Sequence, residues 1–155
     1  MGIEIERKFL VKAEEWISTD KPAPSLLRQG YICTDPSRSI RVRYSQDNSF
    51  ITIKGAKTGI SRNEFEYPIP DSDAINLLDQ FCTSELEKKR YIIIYKNKKW
   101  EVDVFLKENE GLIIAEIELQ NPEEEFELPI WIGKEVTHEE RYYNANLVQK
   151  PFRKW

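Results

Sequence analysis

The chain has 155 residues and a mass of 18.4 kDa, the length of one domain, and a single domain over 1–155 is expected. Apolar residues make up 40% and charged residues 32%, so a core can form although charge exceeds the usual share of about 25%. The 27 Asp and Glu outnumber the 23 Lys and Arg, and the net charge of -4 argues against a nucleic-acid binder, whose footprint is basic overall.

In chain order, Ile3-Glu4-Ile5-Glu6-Arg7-Lys8-Phe9 alternates as a strand, with Glu4, Glu6 and Lys8 on one face. A short helix over Lys12–Ile17 follows, then a strand at Gln29-Gly30-Tyr31-Ile32-Cys33. Ile40-Arg41-Val42-Arg43-Tyr44 aligns Arg41 with Arg43, Phe50–Lys54 aligns Thr52 with Lys54, and Arg62–Tyr67 aligns Arg62, Glu64 and Glu66. Asp71–Cys82 carries Ala74, Leu77, Leu78 and Phe81 on one stripe and reads as a helix capped by Asp71 or Ser72. Three more strands follow, pairing Lys88 with Arg90, Glu101 with Asp103 and Glu116 with Glu118. A last helix is predicted over Thr137–Val148, opened by a capping box of Thr137 and Glu140 and stopped by Pro151. Turn residues separate several strands: Asp35-Pro36-Ser37, Gln46-Asp47-Asn48, Lys57-Thr58-Gly59 and Asn97-Lys98. The eight strands suit a closed antiparallel barrel in an α+β, mainly β fold, with helices packed outside.

Individual residues narrow the chemistry. Cys33 and Cys82 have no CxxC spacing, charges interrupt the N-terminal apolar stretch, and no aliphatic run approaches the length of a bilayer span. A reduced cytoplasmic protein that binds no membrane is the expectation. The single histidine, His138, excludes zinc sites built on two or three histidines, which leaves carboxylates as metal ligands and selects hard ions such as Mg²⁺ or Mn²⁺. Neither a Walker A sequence nor GxGxxG is present, so any phosphate is bound by side chains. Trp16, Trp100, Trp131 and Trp155 read as packing groups outside the barrel.

The charged faces can be an ordinary solvent-facing side of a sheet. Their like-signed pairs at i,i+2 fit that reading poorly, because each strand repels itself: Glu4/Glu6, Arg41/Arg43, Glu64/Glu66, Lys88/Arg90, Glu101/Asp103 and Glu116/Glu118. If the apolar faces point outward, these charges line the interior. Acidic pairs there suit a divalent cation and basic pairs suit phosphate oxygens, arginine bidentately and lysine as a point charge.

The run Glu4-Ile5-Glu6-Arg7-Lys8 resembles the ExExK signature of the CYTH superfamily, the triphosphate tunnel metalloenzymes. Gln29-Gly30-Tyr31, the Arg41, Lys54, Arg62, Lys88 and Glu101 segments, Ala115-Glu116-Ile117-Glu118 and Trp131–Thr137 follow in the family's order. The likeness is greatest to the short bacterial members. The resemblance implies an eight-stranded tunnel, Mg²⁺ or Mn²⁺, and hydrolysis of a small-molecule triphosphate, with inorganic triphosphate first. By the same resemblance Glu4, Glu6, Glu116 and Glu118 hold metal, and Lys8, Arg41, Arg43, Lys54, Arg62, Lys88 and Arg90 bind substrate. Tyr31 and Lys88 match a catalytic pair, Tyr31 being equally open to a packing role, and Glu64 and Asp103 match supporting tunnel positions. Adenylate cyclase chemistry of the class IV type, thiamine or nucleoside triphosphate hydrolysis, and polyphosphate binding without catalysis stay open. So does a homodimer.

Overall fold

All eight strands of the alternating pattern form, and the reason they close into a barrel is the behaviour of the first. The computed structural model describes residues 2–155. Strand β1 (Gly2–Val11) pairs along one edge with β8 (Ile113–Glu118) and along the other with β5 (Ser61–Ile69), from Gly2↔Glu64 to Ile5↔Ser61. Between them run β4 (Ser49–Gly55), β3 (Arg38–Ser45), β2 (Ser25–Cys33), β6 (Glu85–Tyr95) and β7 (Lys98–Phe105), each antiparallel to its neighbours. The β1–β5 pairing seals an eight-stranded barrel. The β6–β7 hairpin turns at Lys96 and Asn97, both at positive φ (50° and 64°), the geometry of a two-residue turn matched to strand twist.

A ninth strand, β9 (Ile132–Glu135), lies outside the eight and pairs with the C-terminal end of β1, through Phe9↔Glu135 and Val11↔Ile132. Four residues interrupted by Gly133 carry too little alternation to mark a strand. The glycine permits the approach, since a Cβ there would lie 3.1 Å from the Leu10 carbonyl oxygen.

Apolar faces point outward; two stretches of them are covered, while Ile53, Phe65 and Tyr67 on β4 and β5 stay exposed. Phe9, Trp100, Val102, Ala115 and Ile117 form one patch under Trp16 of helix α1 (Ala13–Ile17) and under Trp131 and Ile132. Its rings meet edge to face, Trp16 and Trp100 lying 5.3 and 5.9 Å from Trp131. Trp155 is different: it is 44% exposed and stacks on Tyr142 and Phe152 at the chain end. Helix α2 (Asp71–Phe81) covers the opposite side, setting Ala74 and Leu78 on Val42. Gly30 makes room for it, because a Cβ there would lie 2.9 Å from Leu78 and 3.0 Å from Cys82. Pro70 precedes α2 and no side chain caps it, contrary to the expected Asp71 or Ser72 cap; the Asp71 carboxylate instead accepts a 2.8 Å hydrogen bond from Ser49.

Two expectations need correction. The predicted helix over Thr137–Val148 is broken into a 3₁₀ turn at Glu140–Tyr142 and one α-helical turn, α3 (Asn144–Leu147). No capping box forms, because Thr137 Oγ1 is engaged elsewhere: it accepts from the Lys8 backbone N–H at 3.0 Å and donates to Glu135 at 2.6 Å. Nor is the barrel interior charged throughout. Leu86, Phe105 and Ile114 continue the inward faces of β6, β7 and β8 and pack with Tyr31, Val136, Tyr142 and Leu147. They close one end of the barrel with an apolar plug. Among the described residues no helix is long and apolar enough to cross a membrane.

The outer aromatic layer carries much of the stability. Trp100 is fully buried, and Trp100→Ala is expected to cost about 3–5 kcal/mol. Urea unfolding measures this as a lowered midpoint at constant slope, and a loss under about 1 kcal/mol would show the layer to be dispensable.

Candidate active site

The inward faces enclose a cavity of ≈ 550 Å³ lined by eight basic and eight acidic side chains, so its wall is close to neutral as a whole while being divided locally. The division follows register. Three adjacent strands, β7, β8 and β1, bring carboxylates opposite one another, Glu6↔Glu118 and Glu101↔Glu116, although like charges in directly opposed positions repel. Strands β3, β4 and β5 face them with Arg41, Arg43, Lys54 and Arg62.

Each predicted carboxylate occupies a distinct electrostatic position. Burial alone would raise Glu4, but Lys54 at 2.8 Å and Arg62 at 3.1 Å overcome it and hold the group well below the usual carboxylate range. Glu116 is likewise driven up by burial and brought down further by Lys8, 3.5 Å away, and by Arg90 and Lys88. Glu6 goes the other way: burial and the charges of Glu116 and Glu4 push it well above the ordinary value. Glu118 is also raised, by burial and then by Glu4 and Glu64. Neither Glu6 nor Glu118 has a basic partner within ion-pairing distance among the described residues.

Oxygen donors of that kind fit a hard divalent cation. Among the described residues, no three carboxylates already stand in a metal-ligand arrangement, because Glu4 and Glu116 are drawn to lysines and arginine. The residues predicted to hold metal are thus neighbours in one acidic wall rather than a finished ligand cage.

The basic wall is held from behind. Arg90 forms a two-pronged contact with Asp103 at 2.7 and 2.8 Å and reaches Glu101 at 3.0 Å. Asp103 also accepts from Lys88 at 2.8 Å; burial raises its carboxyl, but Arg90 and Lys88 lower it to about 2. Arg43 stacks on Phe50 and has no acidic partner within ion-pairing distance among the described residues. Burial, with Arg41 and Arg90 nearby, brings its guanidinium down to about 10. Arg41 reaches Thr52 and Glu66 through one nitrogen, while its buried Nε has no partner. Lys54 also contacts Glu64 at 3.4 Å, which gives Glu64 a balancing position beside Glu4.

Tyr31 and Lys88 share no hydrogen bond among the described residues. Tyr31 stands opposite Arg41 on β3, whereas Lys88 on β6 stands opposite Leu27, four residues earlier along β2. Tyr31 lines the cavity together with Lys8 and Arg41, and Gln29 donates weakly to its hydroxyl at 3.5 Å. Lys88 lies behind the wall with no exposed surface, bonded to Asp103 and, at 3.2 Å, to the Asn144 side-chain oxygen. Burial outweighs the pull of Asp103 and brings its ammonium down to about 8.

Lys57, Tyr143 and Asn144 also line the cavity, Asn144 linking it to Lys88, and the alternation pattern does not reveal them; Lys99, which lines it too, shares the face of Glu101 and Asp103 one step before the predicted strand. Lys57 falls in a turn, and Tyr143 and Asn144 fall in the segment read as a regular helix. His138 and Glu140 reach the same end of the cavity, without the triad geometry that a lone histidine would need.

A CYTH domain is matched over residues 2–152. The chain is 48% identical over 154 residues to an inorganic triphosphatase of Acetivibrio thermocellus, covering 99% of this chain and 97% of that one. It is 34% identical over 149 residues to an inorganic triphosphatase of Nitrosomonas europaea, covering 93% and 95%. The crystal structure of an inorganic triphosphatase superposes with a TM-score of 0.65 at 31% identity, over 93% of this chain and 96% of that chain. With its closed barrel, its opposed acidic and basic walls and a match along almost its whole length, the chain belongs to the CYTH domain family.

Proposed function

We propose that this protein hydrolyses inorganic triphosphate to pyrophosphate and phosphate inside the barrel, with Mg²⁺ or Mn²⁺. The observation that carries the reading is the facing of unpaired Glu6 and Glu118 against a wall of Arg41, Arg43 and Arg90 within one enclosed cavity. The two inorganic triphosphatases of similar sequence support it.

Charge explains the need for a cation. A linear triphosphate carries about four to five negative charges at neutral pH, and a wall with equal numbers of acidic and basic groups cannot neutralise it alone. Glu4, Glu6, Glu116 and Glu118 would hold the divalent ion, which when bound supplies charge neutralisation and Lewis-acid polarisation of the phosphate oxygens. The protein's own contribution is positioning. Arg41 and Arg43 grip equatorial oxygens of the reacting phosphoryl group, whose charge spreads over three oxygens in the transition state. Asp103 keeps Arg90 aimed inward, and Lys88 keeps Asp103 in place. Tyr31, which lines the cavity, would orient a water toward the terminal phosphorus.

Glu118→Ala and Arg41→Ala are each expected to lower kcat/KM for triphosphate by about 10²-fold or more, with the fold intact by circular dichroism. Phosphate release with ATP and thiamine triphosphate assayed beside triphosphate tests the substrate; cyclic AMP from ATP, or tight binding without turnover, would replace this reading. Full activity in both variants would overturn the site.

Lys88 gives a pH prediction. Its ammonium is charged below about 8 and neutral above, because burial lowers it. Loss of that charge leaves Asp103 with Arg90 alone, so kcat should fall as pH rises through about 8. Lys88→Met should be slower by about tenfold near pH 7 and lack that alkaline limb. A rate that instead climbs through the same pH would give Lys88 the role of general base.

A further inference from the structure

Barrel closure leaves one irregular place. β1 pairs with β5 only as far as Ile5↔Ser61 and then turns to β9 at Phe9, so the seam between β1 and β5 opens beside Lys8. Two segments fill the opening. One is the β4–β5 hairpin turn, braced by the Thr58↔Ser61 bridge, and the other is the chain after β9. They meet where the Lys57 Nζ lies 4.3 Å from the centre of the Tyr143 ring, both residues lining the cavity.

Tyr143 is fixed. Its hydroxyl donates to the Thr137 carbonyl at 2.9 Å, Thr137 accepts from the Lys8 backbone at 3.0 Å, and the next residue, Asn144, accepts from Lys88. Lys57 is not. It lies on a partly exposed turn and makes no ion pair with a carboxylate among the described residues, unlike Lys8, Lys54, Lys88 and Arg90. The charges around it are mixed, the cations Lys8 and Arg62 and the carboxylates Glu6 and Glu4. A cation resting on an aromatic face with no carboxylate at ion-pairing distance is held weakly, and a phosphate oxygen offers it a stronger, charge-assisted hydrogen bond.

We propose that Lys57 is a specificity residue: at the mouth beside Tyr143 it receives the end phosphate that is not cleaved, which is free in inorganic triphosphate and esterified in a nucleoside or thiamine triphosphate. Tyr143 and Asn144 line the cavity there and would crowd a group esterified to that phosphate. Inorganic triphosphate has two unsubstituted ends, so one reaches Lys57 with its extra charge and open oxygens while the other is cleaved. In ATP or thiamine triphosphate the end away from the scissile terminal phosphate is esterified and offers fewer of both. This inference rests on the triphosphatase reading above and assigns its preference for inorganic triphosphate to one contact.

The test measures kcat and KM for triphosphate and for ATP with Mg²⁺ in wild type, Lys57→Met, Lys57→Arg and Tyr143→Ala. Lys57→Met should raise KM for triphosphate about tenfold with kcat nearly unchanged, and should leave KM for ATP unaltered, so that the preference for triphosphate shrinks. Lys57→Arg should restore it, since charge and stacking are both kept. Tyr143→Ala should raise turnover of ATP relative to triphosphate by opening the mouth. Equal losses on both substrates in Lys57→Met, or no change in either, would overturn the assignment of Lys57. A wild type that turns over no triphosphate would instead overturn the proposed function itself.

Discussion

The whole arrangement depends on burying many charges inside a closed sheet. In water a Glu–Lys contact on a strand contributes little, but inside a barrel each charge has lost its hydration and an unpaired one is costly. The interior therefore divides into those that have partners and those that do not. Lys8, Lys54, Lys88, Arg62 and Arg90 are all tied to carboxylates at 2.7–3.5 Å. Glu6, Glu118 and Arg43 lack an opposite charge at that distance among the described residues. The frustrated groups mark where external charge belongs, and they lie on opposite walls.

Such an interior contributes little to folding, so stability comes from outside it. The burial rule of an ordinary protein is inverted on the barrel wall: Trp16, Trp100 and Trp131 pack on its exterior while Lys88 is among the most buried side chains. Helix α2 can lie flat on β2 and β3 because Gly30 removes the side chain that would hold it away. The exterior layers thereby fix strand positions, and strand positions fix which charges oppose one another. Asp103 shows the coupling: its neighbour in chain, Val102, belongs to the outer aromatic patch while the carboxylate itself steers Arg90.

Much of this is written in the alternation of residues. Period-two charge placed Glu4, Glu6, Lys8, Arg41, Arg43 and Arg90 on one face of their strands, and the barrel puts those faces inside. Alternation says nothing about which strand lies beside which, and so it could not show that Tyr31 and Lys88 stand on neighbouring strands, four residues apart in the β2–β6 register. The misread final helix has a different cause. Thr137 and Glu140 carry the spacing of a capping box, but the Thr137 hydroxyl completes the edge of β1 instead, and a local motif yields to a tertiary hydrogen bond. The apolar plug was hidden because Leu86, Phe105 and Ile114 lie just beyond the charged positions of their own strands.

Irregularity and function coincide at the seam. Where β1 runs against β8, backbone hydrogen bonds fix the positions of Lys8 and Glu116, and a substitution cannot move one strand without the other. Where β1 leaves β5, no ladder constrains the wall, and side chains from a turn and from the chain after β9 take its place. The regular part of the barrel can therefore hold chemistry that tolerates no displacement, the acidic wall against the guanidinium groups. The open seam can vary in shape at small cost to stability, because its contacts are few and partly exposed. A tunnel built this way separates what is done to a phosphate chain from how the end of that chain is read.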